Sequence, residues 1–103
     1  MDRQLIWSDS ASDDLESTAA YISRDSSAYA ASFVNRVLDA AKSVQHMPES
    51  GGIVPEFDRQ ELREVLVGNY RVVYLLSISA VAIVAIIHGA RKIERVIDSR
   101  ISR

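Results

Sequence analysis

Cysteine is absent from this chain of 103 residues, so disulfides, thiolate metal sites and thiol nucleophiles are excluded together. Long apolar runs are absent too. The longest, Val81 to Ile87, falls far short of the roughly 20 residues a membrane helix requires. The first residues lack the basic-then-apolar plan of a secretory signal, so a cytoplasmic protein is expected, with no membrane partner. Proline and glycine are scarce and unevenly spread: both prolines and two of the four glycines fall between residues 48 and 61, which marks that stretch as loop. No internal repeat or low-complexity tract is present. Positive charge is in short supply in the first half. Residues 1 to 57 carry four basic and nine acidic side chains, a net of −5, while residues 58 to 103 carry eight and five, a net of +3. Only the C-terminal half can present a cationic surface.

What is there fits one globular domain over residues 1–103, at 48% hydrophobic and 25% charged residues. Gln4 to Trp7 is a short β-type run that stops at Ser8, Asp9 and Ser10, which are helix-starting residues. Ala11, Leu15, Ala19 and Ile22 recur at helical spacing and predict a helix over about 9 to 24. Asp25, Ser26 and Ser27 break it and offer a new cap. Ala30, Phe33, Val34, Val37, Leu38, Ala41 and Val44 then trace a second helix up to Met47 and Pro48, with Phe33, Val37, Leu38 and Ala41 expected to face a sheet. The short link makes the two helices an antiparallel hairpin. Leu62 to Val67 and Tyr70 to Ser77 flank Gly68-Asn69, a two-residue hairpin signal, and Val81 to His88 is a further strand whose near-continuous apolar run suits a doubly covered position. The fold class expected is α+β: an N-terminal strand and an antiparallel helical hairpin packed on one face of a small twisted, mainly antiparallel sheet, in the order β-α-α-β-β-β. Residues 92–103 have Ile93, Val96, Ile97 and Ile101 at helical spacing among charges, an amphipathic tail that needs a surface to pack on.

The unusual chemistry lies in cations within or beside apolar strands: Arg63, Arg71, His88 and Arg91. An arginine in that company must reach a partner, a rim or a ligand. The plain alternative for Arg63 and Arg71 is pairing with Glu56, Glu61 or Glu64, and for His88 a polar cap at a strand end. Tyr70 and Tyr74 share a face with Val72 and Leu76, as packing residues would, and Trp7 reads as a core anchor. Asp13, Asp14 and Glu16 are read as acids favoured by the start of a helix, not as a metal site. No metal and no cofactor are expected.

These residues carry a resemblance. Trp7, the D-L-x-x-x-A-x-Y-I of Asp14 to Ile22, the A-x-x-F-V of Ala30 to Val34, the P-x-x-G of Pro48 to Gly51, the V-P-E of Val54 to Glu56, Arg63-Glu64, the Y-R-V-V-Y of Tyr70 to Tyr74 and the H-G-x-R of His88 to Arg91 stand in one order over residues 5 to 91. Together they resemble the ParE/RelE toxin superfamily, in its ParE-like branch. The chain departs from the pattern at Gly52, where the family often places arginine.

The resemblance implies a toxin of a bacterial type II toxin-antitoxin pair, of the kind found in plasmid-maintenance modules, held inactive by a cognate antitoxin. It leaves two targets open: DNA gyrase for ParE-like members, or messenger RNA in the ribosomal A site for RelE-like ones. It implies no direct specific DNA binding by the toxin alone. In a nuclease, Arg71, His88 and Arg91 would be the catalytic set, because metal-free RNA cleavage needs a base, an acid and cations around the phosphate. Against that stand Glu64 among the expected basic positions, Ile97 where the nucleases carry tyrosine or histidine, and the acidic balance. For a gyrase inhibitor, the expected target-binding residues are Arg91, Lys92 and Arg95. Arg63, Tyr70 and Tyr74 are expected to bind the antitoxin. A degenerate toxin that keeps only antitoxin binding is a third reading.

Overall fold

The computed structural model describes residues 3–101. Strand β1 (Gln4–Trp7) leads into helix α1 (Asp9–Ser23), whose first turn is capped by the Ser8 hydroxyl accepting the Ala11 N–H at 3.0 Å. Helix α2 (Ser27–His46) starts the same way, with the Ser26 hydroxyl accepting the Tyr29 N–H at 3.0 Å. The serines at both predicted breaks are thus N-caps. A short strand β2 (Gly52–Ile53) follows, then β3 (Leu62–Val67), β4 (Tyr70–Leu76), β5 (Ala80–His88) and helix α3 (Glu94–Ile101).

The strands form one sheet in the order β1-β5-β4-β3-β2, with β1 parallel to β5 and the remaining pairs antiparallel. The α+β class and the predicted succession of elements hold, with two additions. Gly52 and Ile53 pair with Glu64 and Arg63 inside what composition marks as loop, too short a strand to leave a pattern. The hairpin between β3 and β4 turns with Gly68 alone at positive φ (58°).

Each face of the sheet is covered. On the first, the helical hairpin packs Ala11, Phe33, Val37, Ala41 and Val44 onto Val72, Tyr74, Val81, Ile83 and Ile86. Phe33 is 2% exposed, and full burial of such a side chain stabilises by about 1.5–3 kcal/mol. Leu38, expected on this face, is 39% exposed: the apolar stripe of α2 is wider than the sheet it meets, and Leu38 lies on its outer edge. On the second face, Val73, Val84, Ala85 and Ile87 are covered by Val54, Leu62, Ile93 and Ile97. The tail therefore finds its surface. An isolated helix of this length does not hold in water, but Ile93 and Ile97 are fully buried against the sheet. The last two residues of the predicted tail, 102 and 103, lie outside the described residues.

β5 is apolar on both faces, and an irregularity puts two successive residues on one of them. Val73 sits opposite Ala85 but Tyr74 opposite Ile83, so Val84 is an extra residue, and Val84 and Ala85 both reach the second core while Ile83 and Ile86 stay in the first. Among the described residues no helix is long and apolar enough to cross a membrane.

Candidate functional site

Strand alternation decides what the candidate cations can reach. Tyr70 is paired with His88, on the side of the helical hairpin, whereas Arg71 is paired with Ile87, on the side of α3. Arg71 and His88 therefore stand on opposite faces of the sheet. The structure does not bring together the three residues Arg71, His88 and Arg91 that RNA cleavage would need on one phosphate.

Arg71 is 8% exposed, and each of its three side-chain nitrogens donates to a carboxylate. Its Nε donates to Glu64 Oε1 at 2.6 Å, and its Nη1 and Nη2 donate to the two carboxylate oxygens of Glu56 at 2.9 and 2.7 Å. Such two-pronged, charge-assisted bonds are the strong kind. The bond to Glu56, outweighing the cost of burial, and then the bond to Glu64 hold the guanidinium above its ordinary pKa. The same bond to Arg71 holds the Glu56 carboxylate below the usual range. Arg71 thus ties the loop after β2 to the sheet.

Arg63 serves the loops on both sides of β2. Rather than finding a carboxylate, it donates to the carbonyls of Gln60 at 3.0 Å and Gly51 at 2.9 Å and to the Gln60 side chain at 3.1 Å. Tyr74, expected at the antitoxin, is instead buried in the first core with 0% exposure, which corrects that assignment: a partner cannot touch it in this conformation. Its hydroxyl donates to Pro48 O at 2.6 Å and accepts the Gly51 N–H at 3.1 Å, and burial pushes the phenol's pKa up. Tyr70 is half-buried, edge-on to both Phe33 and His88 with ring centroids 5.2 and 5.1 Å apart.

His88 and Arg91 do meet. With Asp14, Ser17, Thr18, Tyr21, Tyr70 and Ile86 they line a cleft of about 260 Å³ between α1 and the end of the sheet. The His88 Nδ1 accepts the Ala90 N–H at 3.1 Å, which leaves Nε2 as the ring atom open to the outside. Arg91 also borders a second, larger cleft of about 580 Å³, lined by Lys92, Glu94, Arg95, Val96, Ser99 and Arg100. The expected target-binding cations Arg91, Lys92 and Arg95 are thus brought together at one end of the molecule.

Two features escaped the sequence. Asp14 is a joint between three elements: it accepts from Arg100 at 2.6 and 3.1 Å and from the Ile86 N–H at 2.9 Å, linking α1, β5 and α3. Nothing in the spacing of Asp14 and Arg100 announces a pair 86 residues apart. The second is an apolar groove of about 430 Å³ lined by Trp7, Leu15, Ala19, Val34 and Leu38 between β1, α1 and α2, with Ser12 and Glu16 at its edge. The exposure of Leu38 was its only signal, and it is a tertiary one.

Comparison with known proteins gives two findings. The family model described as ParE toxin of type II toxin-antitoxin system, parDE, matches residues 5–93. Among solved structures, one titled "Chromosomal ParDE TA system from P. aeruginosa" is similar at a TM-score of 0.68 and 17% identity, over 84% of this chain and 95% of that one; at such identity the likeness is one of fold. No curated protein matches the sequence.

Proposed function

The chain belongs to the ParE toxin family of type II toxin-antitoxin systems, and from that premise we propose that its free form inhibits DNA gyrase and that a cognate antitoxin neutralises it. The observation that carries the choice of target is Arg71. A phosphate-stabilising arginine must be free to turn its donors on the phosphate at the moment of reaction, and this one has all three nitrogens held by Glu56 and Glu64 on the face away from His88 and Arg91. A nuclease would first have to break a three-bond, charge-assisted network. An inhibitor that works by binding has no such requirement, and Arg91, Lys92 and Arg95 supply the contact surface.

The antitoxin is assigned to the groove of Trp7, Leu15, Val34 and Leu38. The apolar groove suits one face of an amphipathic helix, and the open edge of β1 beside it, with Ile6 41% exposed, suits an extended segment of the same partner.

The deciding experiment runs reconstituted supercoiling by gyrase beside reconstituted A-site cleavage of messenger RNA, with the parent, Arg71→Ala and Lys92→Glu/Arg95→Glu. Supercoiling inhibited by the parent and spared by the double variant, with no message cut by any form, is expected. Ribosome-dependent cleavage by the parent would overturn the proposal.

A further inference from the structure

Arg91, Lys92 and Arg95 are exposed, and no carboxylate stands within ion-pair distance of any of them among the described residues. The cleft they line has Arg100 as its fourth cation and Glu94 as its acid. Asp14, in the adjoining cleft, is already matched by Arg100. In a chain of net charge −2 this end is therefore locally positive. Arg91 belongs to both clefts, and on its other side stand the hydroxyls of Ser17, Thr18 and Tyr21. Arginine and lysine with neutral hydroxyl donors are the side chains that contact nucleic-acid phosphates and position a protein on a duplex.

We infer that this end of the molecule grips the phosphate backbone of duplex DNA, sequence-independently, through Arg91, Lys92 and Arg95. The inference rests on the gyrase proposal, because it names what the cationic end touches on the enzyme-DNA complex. Two alternatives fit this surface less well. An acidic protein surface would need an apolar or aromatic anchor near the centre of the contact, and the larger cleft offers only Val96. A single strand would need free aromatic faces for its bases. Tyr70 is instead wedged edge-on between Phe33 and His88, and Tyr21, though 64% exposed, has the Arg24 guanidinium 5.7 Å above its ring and so one open face at most. Three unpaired cations stand here against one tyrosine face, too few for a run of stacked bases. Phosphates held on a duplex ask for that combination.

The test uses the purified full chain and fluorescence anisotropy of a labelled mixed-sequence DNA duplex, a single strand of the same sequence, and a poly-glutamate peptide. Three neutralised phosphates predict a slope of about −2.7 in log K against log[salt], so that affinity falls about 40-fold between 50 and 200 mM salt. Arg91→Ala/Lys92→Ala/Arg95→Ala should weaken duplex binding more than tenfold at 50 mM salt and flatten the slope, with circular dichroism and melting confirming that α3 remains folded. Lys42→Glu, an exposed change on α2 outside both clefts, should weaken it much less. Tighter binding of the single strand or the peptide than of the duplex, or equal losses from Lys42→Glu and the triple variant, would overturn the inference. Gyrase inhibition by a chain with no salt-dependent duplex binding overturns it too while leaving the gyrase proposal standing. Duplex binding without inhibition does the reverse.

Discussion

The hydroxyl of Tyr74 and the backbone of Gly51 occupy adjoining space that leaves no room for a side chain. The hydroxyl accepts the Gly51 N–H at 3.1 Å, and a Cβ at position 51 would collide with that oxygen and lie 2.8 Å from Glu64 O and 2.9 Å from Tyr74 Cε1. With Pro48 O as the second partner of the hydroxyl at 2.6 Å, the P-x-x-G of Pro48 to Gly51 and the second tyrosine of Y-R-V-V-Y form one unit. Tyr74→Phe should strand a buried N–H and a carbonyl and cost about 1–3 kcal/mol. Gly51→Ala should also destabilise, and the double variant should cost less than the sum, because phenylalanine removes the oxygen the new methyl would strike. Urea denaturation of the four chains measures this; strict additivity would show that the two positions are not coupled.

Arg71→Ala should destabilise by about 3–5 kcal/mol, because it leaves the Glu56 and Glu64 carboxylates facing each other without their cation. Loss of toxicity in that variant would then track loss of fold. Melting temperature and toxicity measured together separate the two; a fully stable, non-toxic Arg71→Ala would point to a direct role for the guanidinium.

The same network predicts an acid response. The bond to Arg71 lowers the Glu56 pKa in the folded chain below its ordinary value of 4.5, so its contribution is present above that value and is lost as pH falls through the lower, folded-state pKa. Glu56→Gln should therefore be less stable than the parent at pH 7, with the gap closing in denaturation series carried below about pH 4.5. A gap that persists undiminished at the acid end would mean that the carboxylate's charge is not what stabilises the loop.

Phe33 and Leu38 are five positions apart on α2 and should behave oppositely. Phe33→Ala removes a ring that is 2% exposed and should cost about 3–5 kcal/mol. Leu38→Asp, at a site 39% exposed, should shift stability by under about 1 kcal/mol. Co-expressed with the protein encoded beside it, the Leu38→Asp chain should fail to copurify with that protein while the parent retains it. Retention by Leu38→Asp would place the antitoxin elsewhere on the surface.

Arg100→Ala should loosen α3 by breaking its joint to Asp14, the ion pair of 2.6 Å between side chains 24% and 20% exposed. A charge-assisted bond of this kind contributes about 1.5–3 kcal/mol. Hydrogen exchange should speed up in residues 94–101 and hardly change in α2. Uniform acceleration across the chain would show that α3 opens only with global unfolding.

What the sequence determined by itself is local. Serine caps, the 3.6-residue spacing of α2 and the Gly68-Asn69 turn each act within a few residues, so the helical hairpin, the β3-β4 hairpin and the succession of elements were legible. The doubly apolar pattern of β5 even implied cover on both faces. Tertiary structure alone decided what supplied that cover, and on which face each cation came to stand. The tail's apolar stripe said that α3 needs a surface, but nothing in a periodicity names the surface. The pairing of Asp14 with Arg100, the choice of Glu56 and Glu64 among the carboxylates the sequence offered to Arg71, and the exposure of Leu38 are decided across chain separations that local pattern does not encode. They follow from register: once Tyr70 lies opposite His88, pleating sends Arg71 to the other face, among the carboxylates there.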